Sequence, residues 1–280
     1  MDRDTATVAG GCGGTLSETC GSPLVWIRPG HAGYLGLELG VDPHSTSVAV
    51  LSVGLNGPFV LETATHGEIL ARSALAPARA VHRVNSRDDP ILLLFVDIAE
   101  SSAGAIAAEM TSTVGPFGLG HRRERELIEL CTGPDVDPDR LFGLLAGGRA
   151  RPIDPRIAAV AAAIRRHPHH PFRAEAVAAR LDLSTSHFLR LFAQQCGTTF
   201  RRYQQWARMI HALRGIADGH DFTRCAVDAG FATPSHFSET VRRMFGAPLS
   251  RLLRHDVRFD LGPPAGSPRP APLERLASGC

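Results

Sequence analysis

Hydrophobic and polar positions change rhythm partway along this chain. Between residues 23 and 97, short β-prone runs at 24–27, 34–39, 46–53, 59–62, 68–72, 81–84 and 91–97 alternate with Gly30, Gly40, Gly54, Asn56-Gly57-Pro58 and Asp88-Asp89-Pro90. Short runs bounded by Gly, Asn, Asp and Pro predict the strands of a small antiparallel barrel or sandwich. Helices are expected next over 101–110 and 121–131, then a boundary at 132–138 and a short helix over 139–150 leading into a linker, 135–153. The later helix could pair two subunits through Leu127, Ile128 and Leu130, or pack on its own barrel.

From Asp154 the pattern is helical. Asp154 can cap free N–H groups and Pro155 suits a first helical turn that needs no donor, while Ile157, Val160 and Ile164 supply an apolar stripe. Pro168 and Pro171 end that helix. Next come a helix over 173–181, a turn at Asp182-Leu183, and a helix over 185–196 capped by Ser184. A long helix over 198–215 carries Phe200, Tyr203, Ala207, Ile210 and Leu213 on one side. The short-helix, turn, helix unit then repeats over 222–245, with Thr233 as cap and Pro234 in the first turn, and a last helix spans 248–254. Residues 1–22, rich in Gly, Thr and Ser, read as flexible, and 258–280, dense in Pro, Gly and Ala, as a disordered tail.

The repeat is written in the residues themselves. Ser186-His187-Phe188 returns as Ser235-His236-Phe237, and a glycine, Gly197 or Gly246, stands nine positions after each Phe, where a helix end favours positive φ. This is a helix-turn-helix pattern written twice, over 173–196 and 222–245. Roughly twenty residues of helix and cap between the copies span about 30 Å. That is close to the ~34 Å between successive major-groove faces on one side of B-DNA.

Charge sharpens the division. Residues 1–150 hold 11 Arg against 18 acids, a net −7, whereas 151–260 hold 17 Arg against 9 acids, a net +8. Only the second half is suited to a polyanion. All 30 cationic side chains are arginines, able to grip phosphate with two parallel hydrogen bonds. Codon bias explains Arg in place of Lys but not the segregation. With 280 residues, 44% apolar and 21% charged, the chain has the composition of a two-domain globular protein. No apolar run approaches the ~18 residues of a membrane span. The start Met1-Asp2-Arg3-Asp4 is unlike a secretory signal, so a cytoplasmic location is expected. Cys12, Cys20, Cys131, Cys196, Cys225 and Cys280 form no CxxC pair, which favours separate reduced thiols and no cofactor or metal.

Residues 151–257 resemble the DNA-binding domain of AraC/XylS transcription regulators. The likeness is carried by Val177-Ala178-Ala179-Arg180-Leu181-Asp182-Leu183-Ser184, by Phe188-Leu189-Arg190-Leu191-Phe192, and by Ala229-Gly230-Phe231 through Ser235-His236-Phe237 to Phe245-Gly246-Ala247-Pro248. Ser73-Ala74-Leu75-Ala76-Pro77 and His82-Arg83-Val84 make residues 23–134 similar to the family's cupin-like sensor and dimerisation domains. The resemblance implies an α+β multidomain chain: an antiparallel, cupin-like β barrel with helices, then an all-α seven-helix domain at 154–257. It implies an activator that is not an enzyme and that contacts double-stranded DNA, RNA polymerase, a small effector and a second copy of itself as a homodimer, with no membrane partner. Asp182 replaces the usual turn glycine, Glu239 a common basic residue, Val241 a Phe, Ala247 a Thr, and Arg251-Leu252 a Tyr-Arg pair.

Recognition helices read bases near their N-termini. Thr185, Ser186, Leu189, Arg190 and Gln194 are the base-contact candidates of the first motif, and Pro234, Ser235, His236 and Glu239 those of the second. Arg190 is suited to a two-pronged contact with guanine, and Glu239 either accepts from a cytosine amino group or is a neutral surface residue. Arg201, Arg202, Arg242, Arg243 and Arg254 are candidate phosphate contacts. His44 and His82 are weak candidates for an effector site. A cupin-type metal enzyme fused to a DNA reader is the alternative, but Asp42-Pro43-His44-Ser45-Thr46 lacks the His-x-His pair of metal cupins. A protein-binding adaptor would leave the net +8 without a purpose.

Overall fold

The computed structural model describes residues 22–97, 103–145, 153–254 and 256–262. The front half contributes β1 (Leu24–Arg28), β2 (His31–Leu37), β3 (Ala49–Gly54), β4 (Phe59–Thr63), β5 (Gly67–Ala71), β6 (Ser73–Ala76), β7 (His82–Asn85) and β8 (Pro90–Val96). Helix α1 (Ala103–Ala108), β9 (Met110–Val114), β10 (Phe117–His121), α2 (Glu124–Thr132) and α3 (Pro138–Leu145) complete it. The helical half runs α4 (Pro155–Arg166), α5 (Ala174–Arg180), α6 (Thr185–Cys196), α7 (Phe200–Ala217), α8 (Phe222–Asp228), α9 (Pro234–Phe245) and α10 (Leu249–Leu253), followed by β11 (Arg258–Asp260).

The strands do not close into the expected barrel. They form an eight-stranded sheet, ordered β11-β1-β2-β8-β3-β6-β10-β9, and a three-stranded sheet, β5-β4-β7. Phe59, Leu61 and Val84 of the smaller sheet share a core with Ala74, Ile91 and Phe117 of the larger. The larger sheet alternates its side chains between two faces, as extended backbone requires. Trp26, Leu51, Leu92, Leu94 and Val96 pack under α1, α2 and α3 through Ile106, Leu127, Cys131, Leu141 and Leu145. α2 thus lies on its own sheet. Ile27, Val50 and Phe95 point the other way, into a core shared with Trp206, Met209, Phe237, Val241 and Met244 of the helical half.

Ten α-helices lie among the described residues, three in the front half and seven in the helical half. The β9–β10 hairpin was also not expected: helix is confined to Ala103–Ala108, and Thr111, Thr113 and Val114, β-branched, favour extended backbone. At the far end Arg258–Asp260, assigned from composition to the disordered tail, pair in parallel with Leu24–Trp26. Arg28 holds Asp260 Oδ2 at 2.7 Å, and Arg258 N donates to Pro23 O at 2.8 Å. Residues 1–21 and 263–280 lie outside the described residues.

Candidate nucleic-acid interface

The two motifs repeat down to single hydrogen bonds. In the first, the turn residue Asp182 has φ 54° and Leu183 N donates to Ala178 O at 3.0 Å. In the second, Gly230 has φ 80° and Phe231 N donates to Ala226 O at 3.0 Å. Asp tolerates the left-handed region, so its replacement of glycine leaves the turn intact. Each recognition helix then starts at a side-chain cap: Ser184 Oγ accepts from His187 N at 3.3 Å, and Thr233 Oγ1 from His236 N at 3.0 Å. Each ends on a left-handed glycine, Gly197 at φ 67° and Gly246 at φ 72°. Phe188, Phe192 and Cys196 anchor α6, while Phe237, Thr240, Val241 and Met244 anchor α9, leaving the opposite face of each helix to solvent.

That outer face carries most of the anticipated base readers. Ser186, Leu189, Arg190 and Gln194 are exposed on α6, as are Ser235, His236 and Glu239 on α9; Thr185 and Pro234, in the first turns, are half-buried. Arg201, Arg242, Arg243 and Arg254 are exposed too. Arg202, expected on a phosphate, instead donates to Ser45 O at 2.5 Å and Thr46 O at 3.2 Å in the front half. Its pKa is lowered by burial and by the nearby charges of Arg79 and Arg243. Arg242 also lies 3.5 Å from Asp42, an exposed pair of small energetic weight.

Sequence reading missed these ties between the halves. Asp42 N donates to Gly246 O at 2.8 Å, Arg251 to the carbonyls of Leu39 and Gly40, and Arg214 to Ile27 O at 3.1 Å. Each uses a backbone acceptor, which no side-chain pattern announces. A carbon at Gly246 Cβ would lie 2.3 Å from Asp42 O, so this glycine serves both the helix cap and the close approach of the front half.

His44 and His82 sit together. Each donates its backbone N–H to the other's carbonyl, at 3.0 and 2.9 Å, and their rings are 5.0 Å apart. Both line an apolar cavity of about 110 Å³ at the junction, with Val50, Phe95, Trp206 and Phe245. Burial, and then the neighbouring His82, lower the His44 pKa to about 4; burial lowers that of His82 as well. Both rings are therefore neutral at pH 7. Among the described residues no group of three or more His, Cys, Asp or Glu is placed to hold a metal ion. No helix there is long and apolar enough to cross a membrane.

Two matched helix-turn-helix units on a basic, all-helical half define a DNA-reading module behind a β-rich domain. Residues 177–255 match the family model described as a helix-turn-helix domain. The chain is similar in fold to an apo variant of ToxT from Vibrio cholerae strain SCE256, with 11% identity over 81% of this chain and 98% of that one, TM-score 0.56. Unsaturated fatty acid bound wild-type ToxT from the same strain gives 10% identity, coverage of 81% and 95%, and TM-score 0.53. ToxT from Vibrio cholerae O395 bound to (E)-4-(8-methylnaphthalen-1-yl)but-3-enoic acid gives 10%, 80% and 99%, and 0.53. At these identities the likeness is one of fold. No curated protein matches the chain. The domain match and the shared architecture together support DNA-binding transcription regulation.

Proposed function

We propose that this protein is a sequence-specific regulator that lays α6 and α9 in adjacent major grooves of duplex DNA, and that a small effector in the junction sets how the halves engage. The observation that carries the DNA reading is the duplicated geometry: the same turn bond, cap and left-handed glycine present two solvent-facing helices on the half with net +8 charge. Arg190 reads a guanine from α6, and Ser235, His236 and Glu239 contact bases from α9. Arg201, Arg243 and Arg254 hold phosphates.

The effector reading rests on the cavity. A dry apolar void of about 150 Å³ takes a benzene, so 110 Å³ suits a compact apolar or aromatic group rather than a long chain. His44, His82, Ser52 and Tyr34 bring polar side chains to its lining. The acids bound in the ToxT complexes also join an apolar body to a polar end. Selection of bound fragments from genomic DNA tests the DNA reading: an enriched, shared motif supports it, and enrichment without any shared motif refutes sequence-specific binding. For the cavity, benzene or indole should raise the melting temperature of the full chain, and Leu213→Phe, which fills the void, should abolish the rise. An unchanged rise in that variant places the ligand elsewhere.

A further inference from the structure

A second cavity, about 430 Å³, also lies between the halves and shares Ala32, Trp206 and Ile210 with the apolar one. At roughly 30 Å³ per molecule it has the space of about fourteen waters. Its polar lining is rich in arginine: Arg28 comes from the front half, beside His31, and Arg165, Arg166 and Arg214 come from α4 and α7, beside His211. Among these described lining residues Asp97 is the one carboxylate, and it is already engaged, accepting from Tyr203 at 2.7 Å and lying 3.5 Å from Arg165. Arg28 is likewise balanced by Asp260 at 2.7 Å.

The remaining cations are not balanced. Neither Arg166 nor Arg214 has a carboxylate partner within 4.0 Å among the described residues. The partial charges at the ends of α4 and α7, about half a unit each, offset only part of this excess. Burial, and then repulsion from Arg28 across the boundary, lower the pKa of Arg214. His31 is 5% exposed, with its ring stacked 4.1 Å from Phe142 of α3 and within reach of the carbonyls of Pro29 and Pro138. A recess whose wall carries Arg166 and Arg214, neither with a carboxylate partner among the described residues, suits an acceptor with several oxygens.

We propose that this cleft binds a small, multiply charged oxyanion, a phosphate-bearing or dicarboxylate metabolite, bridging Arg166 and Arg214 of the helical half to Arg28 of the front half. Such a ligand stabilises the docked arrangement of the two halves. The test is calorimetric titration of the full chain with inorganic phosphate and, separately, with succinate, at constant ionic strength and without DNA. Saturable binding of about one anion per chain is expected, weakened about tenfold or more in Arg214→Gln and in the exposed-site variant Arg166→Gln, and unchanged in Arg190→Ala. Preference for phosphate or for succinate identifies the class. Absence of saturation with both anions, or equal weakening in Arg166→Gln and Arg190→Ala, overturns the proposal. The result stands whether or not the chain reads DNA.

Discussion

Arg190 and Glu239 occupy comparable outer faces but carry opposite charge, so their substitution separates reading from holding. Arg190→Ala should lower affinity for a selected site by about 1–3 kcal/mol, the worth of a bidentate guanine contact, with a smaller loss on random duplex. Fluorescence anisotropy on both duplexes checks this; equal losses would make Arg190 a phosphate contact. His31 supplies a second test. Its pKa is lowered to about 4, first by burial, with Asp139 opposing and Arg28 reinforcing the shift. The folded ring stays neutral where the unfolded ring, titrating near 6.5, takes up a proton. Stability is therefore fully present above about pH 6.5 and falls, by up to about 3 kcal/mol, as the pH drops toward 4. The slope of urea midpoints across that window should lessen in His31→Phe, which also keeps an aromatic ring against Phe142, while His44 and His82 supply a remaining slope of the same sign; an unchanged slope would assign the acid sensitivity wholly to other groups.

At the scale of elements, the glycine caps test how closely the second recognition helix is bound to the front half. Gly246→Ala and Gly219→Ala both place a side chain at positive φ, 72° and 84°, which costs about 1–2 kcal/mol. Only the first meets another segment, Asp42 O at 2.3 Å. Thermal melts should show a larger loss for Gly246→Ala; equal losses would mean that the 41–46 loop yields freely. The helices α6 and α9 were legible to the residue, because Ser184, Thr233, Pro234, Gly197 and Gly246 mark their ends with local chemistry. The β9–β10 hairpin and β11 were not legible. Gly115, Gly118 and Gly120 give the hairpin no apolar alternation, and Arg258–Asp260 become a strand only because the edge of β1 offers partners distant in sequence. Barrel closure was misjudged for a related reason: alternation reveals strands but not which edges meet. Of the proposed DNA face, exposure of the candidate base readers was foreseeable from helical spacing. The diversion of Arg202 to Ser45 was not, since it depends on a fold contact 157 residues away.

Taken whole, the molecule has its two halves joined by a continuous apolar core, with Phe95 packed against Trp206 at 6.0 Å and Phe245 at 5.2 Å. Such a junction couples the stability of both halves. Calorimetry should show one unfolding transition for the native chain, and Phe95→Ala, costing about 3–5 kcal/mol, should split it into two. A single transition in that variant would show that coupling does not pass through this ring. Arginine ties to backbone carbonyls add direction to the apolar contact, and the second recognition helix borders the apolar junction cavity through Val241 and Phe245. Under the proposed function, a ligand in that cavity would act on DNA affinity through the docking of α9 and its glycine cap.

Hydroxyl-radical footprinting of the purified chain on a selected duplex, at low salt, addresses the paired-helix geometry most directly. Two protected patches on one face, about 10 base pairs apart, should appear, with affinity falling steeply as salt rises. A single patch, or protection without helical phase, would mean that α6 and α9 do not enter successive grooves together.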